Sequence, residues 1–389
     1  MSPRSCRFVA LAPHVSLLSL EKPSLYDRVK DDLYELNEDG FQALSRCNGQ
    51  TTLAEVALEP EFLSDLLSAG LLQIGVEPFP RPVVTPQAPH PSLRYLELQV
   101  TWRCNLACRH CYLDRARPVD MPPAQVAQVA REFAAMGGMR LLISGGEPLA
   151  HPRWPEVNAT LAALPLRKVL LTNGSLLSEE ILADLQAEEV QISLDGMAAG
   201  HDTLRGPGSF AAALAAARRV IKSGRTLSIA TMVHAGNLDQ FEDLADLVKD
   251  LGVGEWGIDH PCQTGRLAKH PGLAVSPEDA AQAMSHAFGG AYHGGGEGQG
   301  CGLHLATVGA DGLVAKCGFY FDDPLGSVEE GLWTCFSRRR SHPLSQIRAC
   351  ADCPAREDCG GGCRYRAGGA DQPDLVMCLV HGVIPPRAS

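Results

Sequence analysis

The sequence predicts an α/β chain: a parallel sheet wrapped by helices, a small domain before it and a cysteine-rich domain after it. Three observations carry this expectation. A strand-then-helix alternation recurs six times between residues 93 and 260. Proline-rich and glycine-rich stretches set that region off on both sides. Most of the fourteen cysteines fall either in one short loop near residue 104 or beyond residue 300.

Composition narrows the function. At 389 residues, with 45% hydrophobic and 20% charged side chains, the chain has the makeup of a globular protein with two or three domains. A formal net charge of -11 argues against a nucleic-acid partner, whose phosphates require clustered Lys and Arg. No run approaches the roughly 18 apolar residues of a membrane span, so no membrane partner is expected. Arg4 and Arg7 followed by Phe8-Val9-Ala10-Leu11-Ala12 imitate a signal peptide, but Pro13 and His14 interrupt the apolar stretch and no A-x-A-like cleavage site follows. The expected location is therefore cytoplasmic, a reducing compartment in which cysteines serve as metal ligands rather than disulfides.

Residues 1–77 are expected to form a winged-helix-like domain. Short alternating strands at 15–20 and 32–36 precede three helical patterns, with Asn37 as a cap for the first and Thr52 with Glu55 as a capping box for the second. Six Lys/Arg against eleven Asp/Glu over residues 1–75 favour peptide over DNA as its ligand. Residues 78–92 are a linker, with six prolines among the fourteen residues 78–91.

The core is expected over 93–288, with strands at 93–100, 139–144, 168–172, 190–194, 227–233 and 255–259. Sheets of this kind collect their sites at the carboxyl ends of the strands. After the first strand comes Cys104-x3-Cys108-x2-Cys111, three soft thiolates from one loop. A [4Fe-4S] cube held by three ligands keeps one iron open, whereas a structural zinc closes its shell with four, and His110 could supply that fourth. The second strand ends in Gly145-Gly146-Glu147, the third in Asn173, the fourth in Ser193 and Asp195, and Arg205 follows. Paired glycines admit close backbone approach, and the hydroxyl, carboxylate and guanidinium groups suit a ribose and an amino-acid carboxylate. Each stretch alone also reads as an ordinary turn.

Through CxxxCxxC, Gly-Gly-Glu-Pro and the ordered strand-end residues, the region resembles the radical S-adenosylmethionine (SAM) superfamily. The resemblance implies a partial (β/α)6 barrel in which Cys104, Cys108 and Cys111 hold a [4Fe-4S] cluster whose open iron binds SAM. It further implies that Gly145, Gly146 and Glu147 meet the SAM amino end, Ser193 and Arg205 its carboxylate or ribose, and Asp195 its sugar, with Asn173 in the same cofactor site. His110 stands where the superfamily often carries an aromatic near the adenine.

A glycine-rich connector, seven glycines in the twelve residues 289–300, leads to residues 301–389. There Cys301, Cys317, Cys350, Cys353, Cys359, Cys363 and Cys378 are too many for one tetrahedral ion, so two metal centres are expected, zinc or iron-sulfur. The spacing resembles the SPASM domain. That implies two auxiliary [4Fe-4S] clusters, three in all, with Cys350, Cys353, Cys359 and Cys378 around one and Cys301, Cys317 and Cys363 around the other. The latter lacks a fourth ligand, which leaves an open iron, Cys262 or Cys335.

Leu36-Asn37-Glu38-Asp39-Gly40-Phe41 and the 62–72 stretch resemble the peptide-recognition domain of pyrroloquinoline quinone biosynthesis. The whole chain resembles the geopeptide radical SAM maturases. The implied function is SAM cleavage to a 5′-deoxyadenosyl radical that modifies a ribosomally made precursor peptide bound by strand addition. Flavodoxin or ferredoxin is the implied electron donor. The alternatives are a sulfatase-activating or tetrapyrrole-type maturase and a zinc-bound, non-catalytic peptide-binding protein. Cys262, just past the sixth strand, is read three ways: buried packing, auxiliary-cluster ligand, or catalytic hydrogen donor to a peptide radical.

Overall fold

The computed structural model describes residues 7–114, 116–289, 302–339, 344–369 and 371–383. Six strands lie in the N-terminal region: β1 (Phe8–Leu11), β2 (Val15–Ser19), β3 (Pro23–Asp27), β4 (Asp32–Glu35), β5 (Asn48–Thr52) and β6 (Leu72–Gly75). They form two three-stranded sheets, ordered β5-β1-β6 and β2-β3-β4. The stretch that imitates a signal peptide supplies β1, the middle strand of its sheet, and its apolar side chains join Leu17, Leu25, Leu44 and Leu66 in a local core. The helices are Glu38–Ser45, Leu53–Val56 and Pro60–Ser68. Asn37 accepts from the Gly40 amide at 2.8 Å, and Thr52 with Glu55 forms the expected capping box. Strands do not simply precede helices here: β5 and β6 alternate with them, and Gln50, Thr51 and Gln73 are polar enough to hide strand character.

The core follows as β7 (Tyr95–Thr101), β8 (Arg140–Gly145), β9 (Arg167–Thr172), β10 (Glu189–Ser193), β11 (Thr226–Met232) and β12 (Glu255–Asp259), all mutually parallel. Each expected strand is present within a residue or two. Helices such as Pro123–Ala135 and Ser209–Lys222 cover the outer face, where Val126, Val129 and Phe133 join Leu96, Leu98 and Ile143 in the main core. The inner face is different. Glu97, Leu142, Leu171, Gln191, Ala230 and Gly257, one from each strand, line a single cavity, so the sheet curls around it.

Three further strands extend the sheet beyond the six expected: β13 (Leu305–Val308), parallel to β7, then antiparallel β14 (Leu313–Ala315) and β15 (Gly326–Ser327). The C-terminal region is therefore joined to the core through backbone hydrogen bonds. Its remainder is short helical turns and loops, among them Arg356–Cys359 and Leu375–Val380. Residues 290–301 of the glycine-rich connector, with Cys301, lie outside the described residues. Among the described residues no helix is long and apolar enough to cross a membrane.

Candidate functional site

The loop after β7 carries Cys104, Cys108 and Cys111 onto the wall of a cavity of about 680 Å³. That size falls in the usual range for small-molecule sites, a few hundred to about 1,000 Å³. Three fastenings hold the loop. Asn105 donates to Ser175 at 2.7 Å and accepts from Asn173 at 3.0 Å, tying the loop to the end of β9. The Arg109 amide donates to the Leu204 carbonyl at 2.8 Å. Past β12, the Arg266 amide donates to the Cys111 carbonyl at 3.0 Å; Gly265 beside it has φ +55°, and a Cβ there would stand 2.5 Å from that carbonyl.

Burial pushes the Cys104 thiol up to about 11 and raises Cys108 and Cys111 as well. Three half-buried thiols that resist ionisation on their own are a donor set completed by a thiophilic cation, which displaces their protons. A [4Fe-4S] cluster fits that chemistry.

The other expected residues separate into two groups. Gly145, Gly146, Asn173, Ser193, Asp195 and Arg205 all line the cavity. Glu147 does not: it is 1% exposed and accepts from Thr172 Oγ1 (2.7 Å), the Asn173 amide (2.8 Å) and the Leu149 amide (3.2 Å). It binds the ends of β8 and β9 together from behind the wall, where burial raises its carboxyl against those donors. The glycine pair has a structural demand of its own. A Cβ at Gly145 would sit 2.1 Å from the Thr101 carbonyl oxygen, and one at Gly146 2.3 Å from that of Arg103, so only glycine lets this turn press against the root of the cysteine loop.

Asp195 is fully buried, paired with the Arg205 guanidinium, and accepts from the Met232 amide at 2.8 Å. Burial alone would raise its carboxyl, but Arg205 and its other donors hold it down at about 2. Arg205 thus presents a fixed positive charge at the cavity. His110 lines the same cavity with Nδ1 buried and unpartnered, and burial first, then Arg205, lowers it to about 3, so the ring is neutral.

His201 supports Asp195 from behind: it is 1% exposed, and its Nδ1 accepts from the Asp195 amide at 3.0 Å. Burial lowers it to about 4. Its folded value lies below the unfolded value of about 6.5, so its neutral form costs nothing above that pH and progressively destabilises the fold below it. At pH 5 this cost is about 2 kcal/mol, while Asp195 does not titrate in that window. His201→Gln should therefore narrow the Tm difference between pH 7 and pH 5. A wild-type slope retained in the variant would refute the assignment.

Glu97 was not singled out in the sequence, yet it accepts from Ser144 Oγ (2.7 Å) and Thr307 Oγ1 (2.9 Å), joining β7, β8 and β13 at the cavity wall. A carboxylate inside the otherwise apolar Leu96-Glu97-Leu98 was the available signal.

Beyond the core, Cys350, Cys353, Cys359 and Cys378 line one small cavity together with Asp374. Cys363 lies elsewhere, beside Cys262, and the mutual influence of the two thiols lowers Cys363 and raises Cys262. Cys335 is fully buried and donates to the Ser327 carbonyl at 3.2 Å.

Residues 98–248 match the family model of the Radical SAM superfamily. An AdoMet-dependent heme synthase of Methanosarcina barkeri is 35% identical over 48% of this chain and 55% of its own length. The mycofactocin maturase MftC of Mycobacterium ulcerans is 27% identical over 69% and 82%. The chain spans about half the length of the first curated relatives it matches. Among solved structures, Streptococcus suis SuiB bound to its precursor peptide SuiA aligns over 95% of this chain and 100% of that one, with a TM-score of 0.65 at 13% identity.

Proposed function

From the radical SAM domain that this chain carries, we propose that it cleaves SAM reductively and uses the resulting radical to modify a ribosomally synthesised peptide. The observation that carries the first half is the three-thiol loop on the wall of a cavity that also holds the Asp195–Arg205 pair. When bound, a [4Fe-4S] cluster with one open iron supplies the electron that breaks the SAM sulfonium bond to give 5′-deoxyadenosine after hydrogen abstraction. The chain's own residues do the rest. Arg205 and Ser193 orient the SAM carboxylate or ribose, with Gly145, Gly146 and Asn173 beside the amino end. Asp195 fixes Arg205 on the side of the sugar, and the neutral His110 ring lies against the adenine. Glu147 acts at one remove, positioning the Asn173 amide.

The peptide half rests on the N-terminal region. SuiB, solved with a precursor peptide, shares the fold over 95% of this chain. In this chain β4 is an edge strand with mostly exposed side chains, suited to accept a leader as an added strand in a winged-helix-like recognition domain. The likeness to heme synthases keeps a tetrapyrrole-type maturase as the second reading. Residues 301–389 are read as a SPASM domain with two auxiliary clusters, one held by Cys350, Cys353, Cys359 and Cys378, in an enzyme that works in the cytoplasm with a flavodoxin or ferredoxin.

Anaerobic incubation with SAM, reductant and any short peptide encoded beside this gene should yield 5′-deoxyadenosine and, for the true precursor, a mass change in the peptide, read by mass spectrometry. 5′-Deoxyadenosine without a peptide product, but with turnover of an iron porphyrin precursor, would select the second reading.

A further inference from the structure

We propose that Cys262 is a thiolate ligand of the auxiliary metal cluster that also takes Cys363 and Cys317, so that this cluster bonds the rim of the SAM cavity to the cysteine-rich region. The inference rests on the auxiliary-cluster reading and adds the ligand that the spacing of the C-terminal array leaves undetermined.

Three segments distant in sequence converge at this point. The first follows β12 and carries Asp259-His260-Pro261-Cys262, with Cys262 8% exposed. The second carries Cys363, whose thiol lies beside that of Cys262. Arg366, three residues on, pairs with Asp259 at 3.0 Å, donates to the His260 carbonyl at 2.9 Å and pairs with Asp374 at 2.7 Å; Asp374 in turn accepts from the Cys363 amide at 2.8 Å. The third carries Cys317. Phe319 and Tyr320, just after it, pack on Tyr365 with ring centroids 5.0 and 5.5 Å away, and the Tyr365 hydroxyl bonds Thr264 at 3.3 Å.

A packing role explains this less well. Two thiols are weak partners for each other, and a small buried hydrophobe has no need of the Arg366 ion pairs, one buried with Asp374 and one more exposed with Asp259, that hold the two cysteine turns in place. Those pairs fix the turns as ligand turns must be fixed. Cys335, the other cysteine offered by the sequence, is occupied: it sits in the main core and donates to Ser327. Binding is a substitution in which the Cys262 thiol loses its proton to solvent as its sulfur–iron bond forms, and no electron is transferred.

The test uses the full chain, reconstituted anaerobically with iron and sulfide. Cys317→Ala should remove about four irons, one cubane. Cys262→Ser, which keeps the side-chain volume and offers oxygen in place of sulfur, should keep most iron but shift the electron paramagnetic resonance signal and midpoint potential of one auxiliary cluster. Cys262→Ala should change the same signal or lose it. If both Cys262 variants match the wild type in iron, spectrum and potential while Cys317→Ala loses its cluster, Cys262 is a packed thiol or a hydrogen donor and the proposal falls, with the auxiliary clusters intact. If Cys317→Ala loses no iron, the auxiliary-cluster reading falls and takes this one with it.

Discussion

Alanine in place of Cys104, Cys108 and Cys111 together is expected to abolish SAM cleavage and to remove about four of about twelve irons per reconstituted chain. The effect is all-or-none because the three thiols share one loop and one cavity wall, and the residues behind them position ligands without transferring electrons. The fold should survive. Each thiol is only half-buried, and the loop is fastened by Asn105, the Arg109 amide and the Cys111 carbonyl, none of which the substitutions touch. Iron analysis and chromatography of 5′-deoxyadenosine read both halves of the result. Zinc as the principal metal, or cleavage that persists in the triple variant, would overturn the assignment.

What the sequence disclosed and what it hid divide along a physical line. Period-2 and period-3.6 patterns are local, so the six core strands, the Asn37 cap and the Thr52–Glu55 capping box were all legible. So was the cysteine loop, because ligand spacing within one turn is also local. Contacts between distant segments were not. Nothing near Cys262 announces that its partner is Cys363, and nothing near Glu147 says that Thr172 and Asn173 will occupy its oxygens. Strand β13 escaped for a related reason: four residues beside a glycine-rich stretch carry little periodicity, and their strand character comes from pairing with β7, some 200 residues earlier. Gly145 and Gly146 were recognised as special, but their protein contacts were not legible. Their freedom serves the close approach to Thr101 and Arg103 as much as any ligand.

The second large effect concerns the end of the sheet opposite the cysteine loop. Asp31 sits in the β3–β4 turn with φ 63°, 8% exposed, and reaches the amino-terminal ends of β8 and β9: it pairs with Arg140 and lies 3.8 Å from Arg167, while Tyr26 donates to its other oxygen. Arg167 also holds the Arg28 and Val29 carbonyls of the same turn at 2.9 and 3.0 Å and pairs with the buried Glu189 at 2.6 Å. The turn therefore closes the base of the curled sheet with a buried ionic cluster. Removing one member of such a cluster leaves its partners with uncompensated charge, at a typical cost of about 3–5 kcal/mol. Glu255 at 3.3 Å from Arg140, and Glu189 for Arg167, retain part of the compensation, which places Asp31→Ala near the lower figure. Asp32→Ala, one residue on but exposed, should change stability by no more than about 0.5 kcal/mol. Deleting residues 1–77 to test leader binding would strip Asp31 from both arginines as well, so a loss of function in that truncation would report core damage and lost recognition together. Substitutions confined to the exposed face of β4 separate the two, since that strand takes no part in the Asp31 cluster. Thermal unfolding of the two alanine variants decides the matter: equal Tm values for Asp31→Ala and Asp32→Ala would mean that the turn merely rests against the sheet, and truncation would then become a clean probe of recognition.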